Sequence, residues 1–261
     1  MKRTPILVEL WRFRGLLRSL VVRDLKVKYQ RSLLGLVWTL LNPLLTVAIL
    51  VTVFSYVLRI QVDRYWAFLI SGLFAWNFLQ QCLYHAVALL RDNAHLNRSV
   101  YFPREILLLS AALSKMVEFL IELAIVALVL LVFHHHTIPS SFVLGPIIIA
   151  ILFVMVVGLM FPLAVLAVFF YDVQQALPIV ILSLFYLSPV FYPVEMVPGS
   201  FRPFMYLNPV TGILSLFHTV FYNGLWPSWT LLGTVAATAM ALFALGYWIF
   251  RRYQGICVEI A

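Results

Sequence analysis

"RDLKVKYQRSLLGLVWTLLNPLL", residues 23–45, begins as a basic, water-seeking segment and ends as a membrane span with no linker between. Five of its first nine residues are charged, and none is from Leu33 onward. Upstream, apolar residues fall at 10, 13, 16, 17, 20 and 21, a helical stripe, while Arg14 and Arg18 take the opposite face. Residues 8–31 therefore read as an amphipathic helix on a bilayer surface, welded to a spanning helix over 33–58. Asn42-Pro43 removes a backbone hydrogen bond inside that span and is expected to kink it.

The rest of the chain agrees with a lipid solvent. Of 261 residues, 64% are hydrophobic and only 11% charged, whereas a soluble domain carries about 25% charged residues. A globular core cannot absorb that much apolar surface. The net charge of +8 does not point to nucleic acid, because nine of the 18 Lys and Arg lie in the first 31 residues, the pattern of a cytoplasmic flank. Arg12, Arg14 and Arg18 interrupt any signal-peptide core. Cys82 and Cys257 have neither a disulfide nor a metal spacing.

A bilayer core takes about 20 apolar residues per helix. Six stretches meet or approach this: 33–58, 65–90, 106–133, 142–170, 176–192 and 228–250. With the N-terminus inside, fourteen Lys and Arg face the cytoplasm and three, Arg59, Arg64 and Arg202, face outward. Both termini are therefore expected inside. Residues 193–226 are too polar for a simple span and too apolar for an ordinary loop, with prolines at 193, 198, 203 and 209. They read as short helices re-entering the outer leaflet, an outer gate between spans five and six. Irregular backbone at that depth needs cover from protein or a wet cavity. The fold class is thus an all-α membrane protein of six transmembrane helices in a single domain, 1–261.

Polar residues inside the spans mark what such a bundle handles. Asn77, Gln81 and His85 recur every four residues, with Gln80 and Tyr84 beside them, on one face of the second span. Such a face either lines a wet conduit or joins helices by hydrogen bonds. Lys115, Glu118 and Glu122 share a face of the third span, and Lys115 is placed to pair with Glu118. Aromatics crowd the outer end, among them Phe185, Tyr186, Phe191, Tyr192, Phe217 and Phe221. An interfacial belt explains some of them, and the clustered excess suits stacking on sugars and sealing a closed pore. His134 to His136 read as a solvated loop. No acids pair as a catalytic site and no residues group as a metal site.

Four blocks in this order, "RDLKVKYQRSLLGLVWTLLNPLL", "VYFPREILLLS", "FFYDVQQALPI" and "SPVFYPVEMVPGSFRPFMYLNPVTGI", cover nearly the whole chain. Together they resemble the membrane subunit of ABC-2 type polysaccharide exporters, the branch that moves O-antigen, teichoic acid or capsule chains. The resemblance implies a six-span permease in the bacterial inner membrane that homodimerises over two copies of a separate P-loop ABC ATPase. ATP and Mg would then bind the partner and not this chain, which has no Gly-Lys dipeptide and hence no P-loop.

The resemblance also assigns ATPase contact to the surface helix and to the cytoplasmic loop 91–105, with Arg91, Asn93, Leu96, Arg98, Tyr101, Phe102 and Arg104. Aromatic and cationic side chains on a short element suit that role. The carrier lipid's diphosphate is expected at Arg23, Lys26, Lys28 and Arg31, where positive-inside bias accounts for the charge equally well. Related sequences commonly have Arg before the Asp of "FFYDVQQ", where this chain has Tyr171. Any ion pair of that Arg is absent or replaced here.

The conduit is expected along Asn77, Gln81, His85 and the six aromatics named above. The rival readings are an ABC-2 permease for a drug or small lipid and an intramembrane enzyme acting on lipid-linked sugars. The first predicts an apolar mouth, and the second predicts Asp, Glu or His gathered at one membrane face. A secondary transporter would need inverted repeats, and none is evident.

Overall fold

The computed structural model describes residues 11–29, 37–59, 61–92, 103–134 and 139–260, and among them every regular element is helical. Helix α1 is Arg14–Tyr29. Helix α2, Val37–Val51, continues as a π-helical turn, Thr52–Val57. Helices α3 (Tyr65–Asp92) and α4 (Glu105–His134) flank the cytoplasmic loop of the sequence reading. A 3-10 turn, Ser140–Leu144, leads into α5, Gly145–Phe169, and α6 is Asp172–Tyr186. Three short elements follow: a 3-10 turn (Val194–Met196), α7 (Arg202–Leu207) and α8 (Pro209–Phe217), which runs on as a π-helical turn, His218–Tyr222. The long helix α9, Trp229–Ile260, closes the chain.

Helix α3 is the centre of the bundle. It packs against α2, α4, α5, α6 and α8, and Leu69, Phe74, Leu79, Cys82 and Ala86 are almost wholly buried. Lipid is as apolar as leucine, so close packing rather than the hydrophobic effect holds such helices together. The tightest example is the crossing of α5 and α9. A Cβ on Gly246 would lie 2.0 Å from the carbonyl oxygen of Gly158, and one on Gly158 would lie 2.6 Å from the backbone nitrogen of Phe243. Only paired glycines permit this approach.

Several boundaries differ from the sequence expectation, each for a physical reason. Helix α2 begins at Val37, carries Pro43 inside it, and ends in a π-helical turn. The helix expected over 176–192 is Asp172–Tyr186, because a turn with buried Ser188, Pro189 and Val190 ends it early. Its 15 residues extend roughly 22 Å, less than the ~30 Å of a bilayer core.

Among the described residues, two helical stretches, Ser140–Phe169 and Trp229–Gly255, are by length and composition apolar enough to cross a membrane. Helix α3 is broken up chemically by its amides, and α4 by Lys115, Glu118 and Glu122. These are the residues from which a functional site is built.

Helix α1 uses its apolar stripe as expected, but on protein. Leu20 is buried against Ile106 and Leu107 at the start of α4, with Phe13, Leu16, Leu17 and Leu89 packed around them. Eight residues on, Lys28 meets Glu118. The contacts advance together along both helices, so α1 climbs beside α4 instead of only resting on headgroups. The cause is the buried carboxylate, which draws the ammonium inward.

Candidate functional site

The first block of the site is this charged seam. Lys28 Nζ donates to Glu118 Oε2 at 2.7 Å, and Lys115 Nζ reaches the same carboxylate at 3.2 Å. Glu118 is only 4% exposed. A buried carboxylate must be paired, and two ammonium groups from two helices do so here. Sequence spacing anticipates the Lys115 pairing. The Lys28 contact, ninety residues distant, leaves no local signal.

The second block is a cleft of about 270 Å³ beside that seam, lined by Lys28, Trp38, Asn42, Pro43, Thr46, Asn77, Gln81 and Glu122. It lies between α2, α3 and α4. Asn42 and Thr46 are exposed on α2, and the Thr46 hydroxyl donates to the Asn42 carbonyl at 2.9 Å. Polar groups facing lipid are costly, so this face needs water or protein against it. The structure thus brings Asn77 and Gln81 together with Lys28 and with three residues not expected in a conduit: Asn42, Thr46 and Glu122. The i, i+4 spacing of Asn42 and Thr46, which matches that of Asn77 and Gln81, is the signal that finds them. His85, one turn further along α3, is exposed and does not line the cleft.

The third block frames the segment between α3 and α4. Asn93, Leu96, Arg98, Tyr101 and Phe102 lie outside the described residues, as does Arg31. Arg91 stands in the last turn of α3. On the far side of the loop, the Arg104 guanidinium donates to the Gln254 carbonyl, and Arg251 Nε lies 3.5 Å from the buried Glu105 carboxylate. The described residues on either side are thus fixed: Leu89 of α3 packs beside α1, and α4 is tied to both α1 and α9. Of the basic residues on α1, Arg23 pairs with Asp24 at 2.9 Å, Lys28 with Glu118, and Lys26 is exposed.

The opposite end of the bundle is an aromatic cluster. Phe191 touches Phe54, Phe185, Tyr186 and Tyr192, with ring centroids 4.9–5.6 Å apart, within the range of favourable aromatic pairs. Tyr186 is 57% exposed. Phe217, 1% exposed, is enclosed between Phe119 and Phe221, and Phe221 also meets Phe142.

His218, which sequence reasoning passed over, joins three elements at this end. Its ring stacks on Phe68 at 3.9 Å, Nδ1 lies 2.9 Å from the Ser71 hydroxyl, and Nε2 lies 2.9 Å from the Pro189 carbonyl. The neutral ring with its proton on Nε2 donates to Pro189 and accepts from Ser71. Gly72 admits it, since a Cβ there would lie 2.8 Å from the ring.

Comparison with known proteins gives this arrangement a context. A family profile described as ABC-2 type transporter matches residues 15–222. The chain is 30% identical over 242 residues to an O-antigen export system permease protein RfbA of Klebsiella pneumoniae, covering 91% of this chain and 92% of that one. It is also 30% identical over 245 residues to the O-antigen export system permease protein RfbA of Myxococcus xanthus, covering 93% and 94%. A more distant relative is the polysialic acid transport protein KpsM of Escherichia coli, 20% identical over 239 residues, covering 90% and 92%.

Proposed function

Because this chain belongs to the ABC-2 type transporter family, we propose that it is the membrane subunit of an ATP-driven exporter of lipid-linked polysaccharide in a bacterial inner membrane. Relatives that are named O-antigen export permeases and that match nearly end to end support the substrate class. The polar cleft supports it against a drug or small-lipid permease, whose mouth should be apolar. In this reading the six helical stretches cross the membrane with both termini inside, and two copies form the pore. Two P-loop ATPase chains, holding ATP and Mg, dock beneath on α1 and on 91–105. The short elements Val194–Met196, α7 and α8, with the aromatics around Phe191, form the outer gate. With Lys28 committed to Glu118 and Arg23 paired with Asp24, the exposed Lys26 is the better-placed contact for the carrier's diphosphate.

One observation carries the mechanism: α1 packs on the helices at both ends of 91–105, through Leu20 on Ile106 and Leu107 with Leu89 alongside, and locks to Glu118 further along. A push on the loop is thereby shared with α1 and delivered into the bundle. The test is Tyr101→Ala with Phe102→Ala in the reconstituted complex. ATP hydrolysis should continue while polymer export per ATP falls about ten-fold or more, as loss of an interface hot spot predicts. Unaltered export would remove the docking assignment.

A further inference from the structure

The cleft between α2, α3 and α4 contains one group that the charged seam does not use. Glu122 is 3% exposed and lines the cavity. Among the described residues no hydrogen bond or ion pair reaches its carboxylate, although Glu118, one turn earlier, is held by two lysines. A buried carboxylate aimed into a cavity without a protein partner is costly unless something in the cavity hydrogen-bonds to it.

The remaining wall defines what that something is. Asn42, Asn77 and Gln81 bring amides, which donate and accept, and Trp38 with Pro43 brings apolar surface. A ligand with many hydroxyls and an apolar ring face meets every one of these groups. Fixed charge is disfavoured in both senses: an anion such as phosphate would face Glu122 beside Glu118, and the nearby Lys28 and Lys115 already offset the pull of Glu122 on a cation. About 270 Å³ is far more than the ~30 Å³ share of one water, and suits one sugar ring with a few waters.

We propose that this cleft is a recognition subsite for a single neutral, hydroxyl-rich sugar residue of the passing chain, with Glu122 accepting from its hydroxyls and Asn77 and Gln81 completing the contacts. The inference rests on the polysaccharide reading above and narrows it. The subsite grips uncharged sugar units, while the carrier's diphosphate is handled elsewhere.

The experiment uses the full chain in lipid nanodiscs, titrated with the methyl pyranosides of glucose, galactose, mannose and rhamnose, with N-acetylglucosamine and, separately, with inorganic pyrophosphate. Saturation-transfer NMR reads the binding. At least one sugar should bind saturably in the millimolar range, and pyrophosphate should not compete. Glu122→Gln should weaken that sugar roughly five-fold, and Asn77→Leu with Gln81→Leu ten-fold or more, as expected for lost hydrogen bonds to a charged and to neutral groups. Thr238→Ala, on an exposed position of α9 and outside the cleft, should change nothing.

Should Glu122→Gln lower the thermal midpoint markedly, Asn42→Ala, on an exposed position, gives the same readout without the folding burden. The assignment falls if no sugar binds, if the cleft variants bind as the parent does, or if pyrophosphate takes the site. ATP-driven export measured on the same variants separates the two ideas. Export that persists with flat sugar binding sinks the subsite alone, and ATP-independent export sinks the exporter reading.

Discussion

Lys28 and Glu118 illustrate how one pair sets the position of a whole helix. The ammonium lies partly exposed, the carboxylate is buried, and Lys115 shares the same two oxygens. Removing Glu118 leaves Lys115 buried without its counter-charge, the costly half of breaking an ion pair. Glu118→Gln should therefore destabilise the protein by roughly 2–3 kcal/mol, somewhat below the range for fully buried pairs because Lys28 is half-solvated. In a double-mutant cycle with Lys28→Met, thermal unfolding in detergent should give a coupling energy of about 1 kcal/mol or more. Strict additivity would show that α1 is not held at this point.

At the same scale, the sequence made Lys115–Glu118 legible, since both lie on one helix face. It concealed Glu122's partnerless position and His218's three contacts, because those depend on which helices become neighbours.

Among the elements, the α5–α9 crossing is the most constrained. Gly158 and Gly246 let two backbones touch where any Cβ would collide with a carbonyl or a main-chain nitrogen. Gly246→Leu should force the helices apart and cost about 3 kcal/mol, at the upper end for overpacking. A fall in the thermal midpoint, together with loss of the assembled complex on gel filtration, is the expected outcome. Gly233→Leu, where a Cβ meets nothing within 4 Å, is the control that should be silent. If both variants behave alike, the crossing is looser than described.

Helix existence and much of each helix's extent were readable from apolar runs. The surplus length of α9 was not, because the helix runs on past the Arg251–Arg252 pair that ends its apolar run, and the early end of α6 was not, because apolar residues continue on both sides of the Ser188–Pro189 turn. The apolar stripe of α1 was legible as an amphipathic face, but whether lipid or α4 would cover it was not. The pattern is the same for both, and only the buried carboxylate on α4 decides.

For the molecule as a whole, the arrangement is a bundle centred on α3, with ion pairs at one end and an aromatic cluster at the other. At one end, α1, the start of α4 and the end of α9 come together through Leu20, the Arg104–Gln254 contact and the Arg251–Glu105 pair. At the other end, Phe191 and His218 hold the turn after α6 and the π-helical turn after α8 against α2 and α3. π-helical turns recur at functional positions, and both of those found here adjoin the aromatic cluster. The transporter family was legible in four ordered blocks of sequence, because those blocks carry the entry to α2, the entry to α4, the start of α6 and the short elements before α9. The cleft was only half legible, since Asn77 and Gln81 announce themselves by spacing while the wall that faces them comes from α2 and α4.

In the proposed function, force enters from a separate motor at the segment 91–105 and travels through α1 into the bundle. The most direct test of this is transport of lipid-linked polymer into sealed vesicles containing this chain, with and without its P-loop ATPase partner. Polymer should cross only when the partner and hydrolysable ATP are both present, and a proton gradient should not substitute. Movement by this chain alone, down a concentration gradient or driven by protons, would contradict the account.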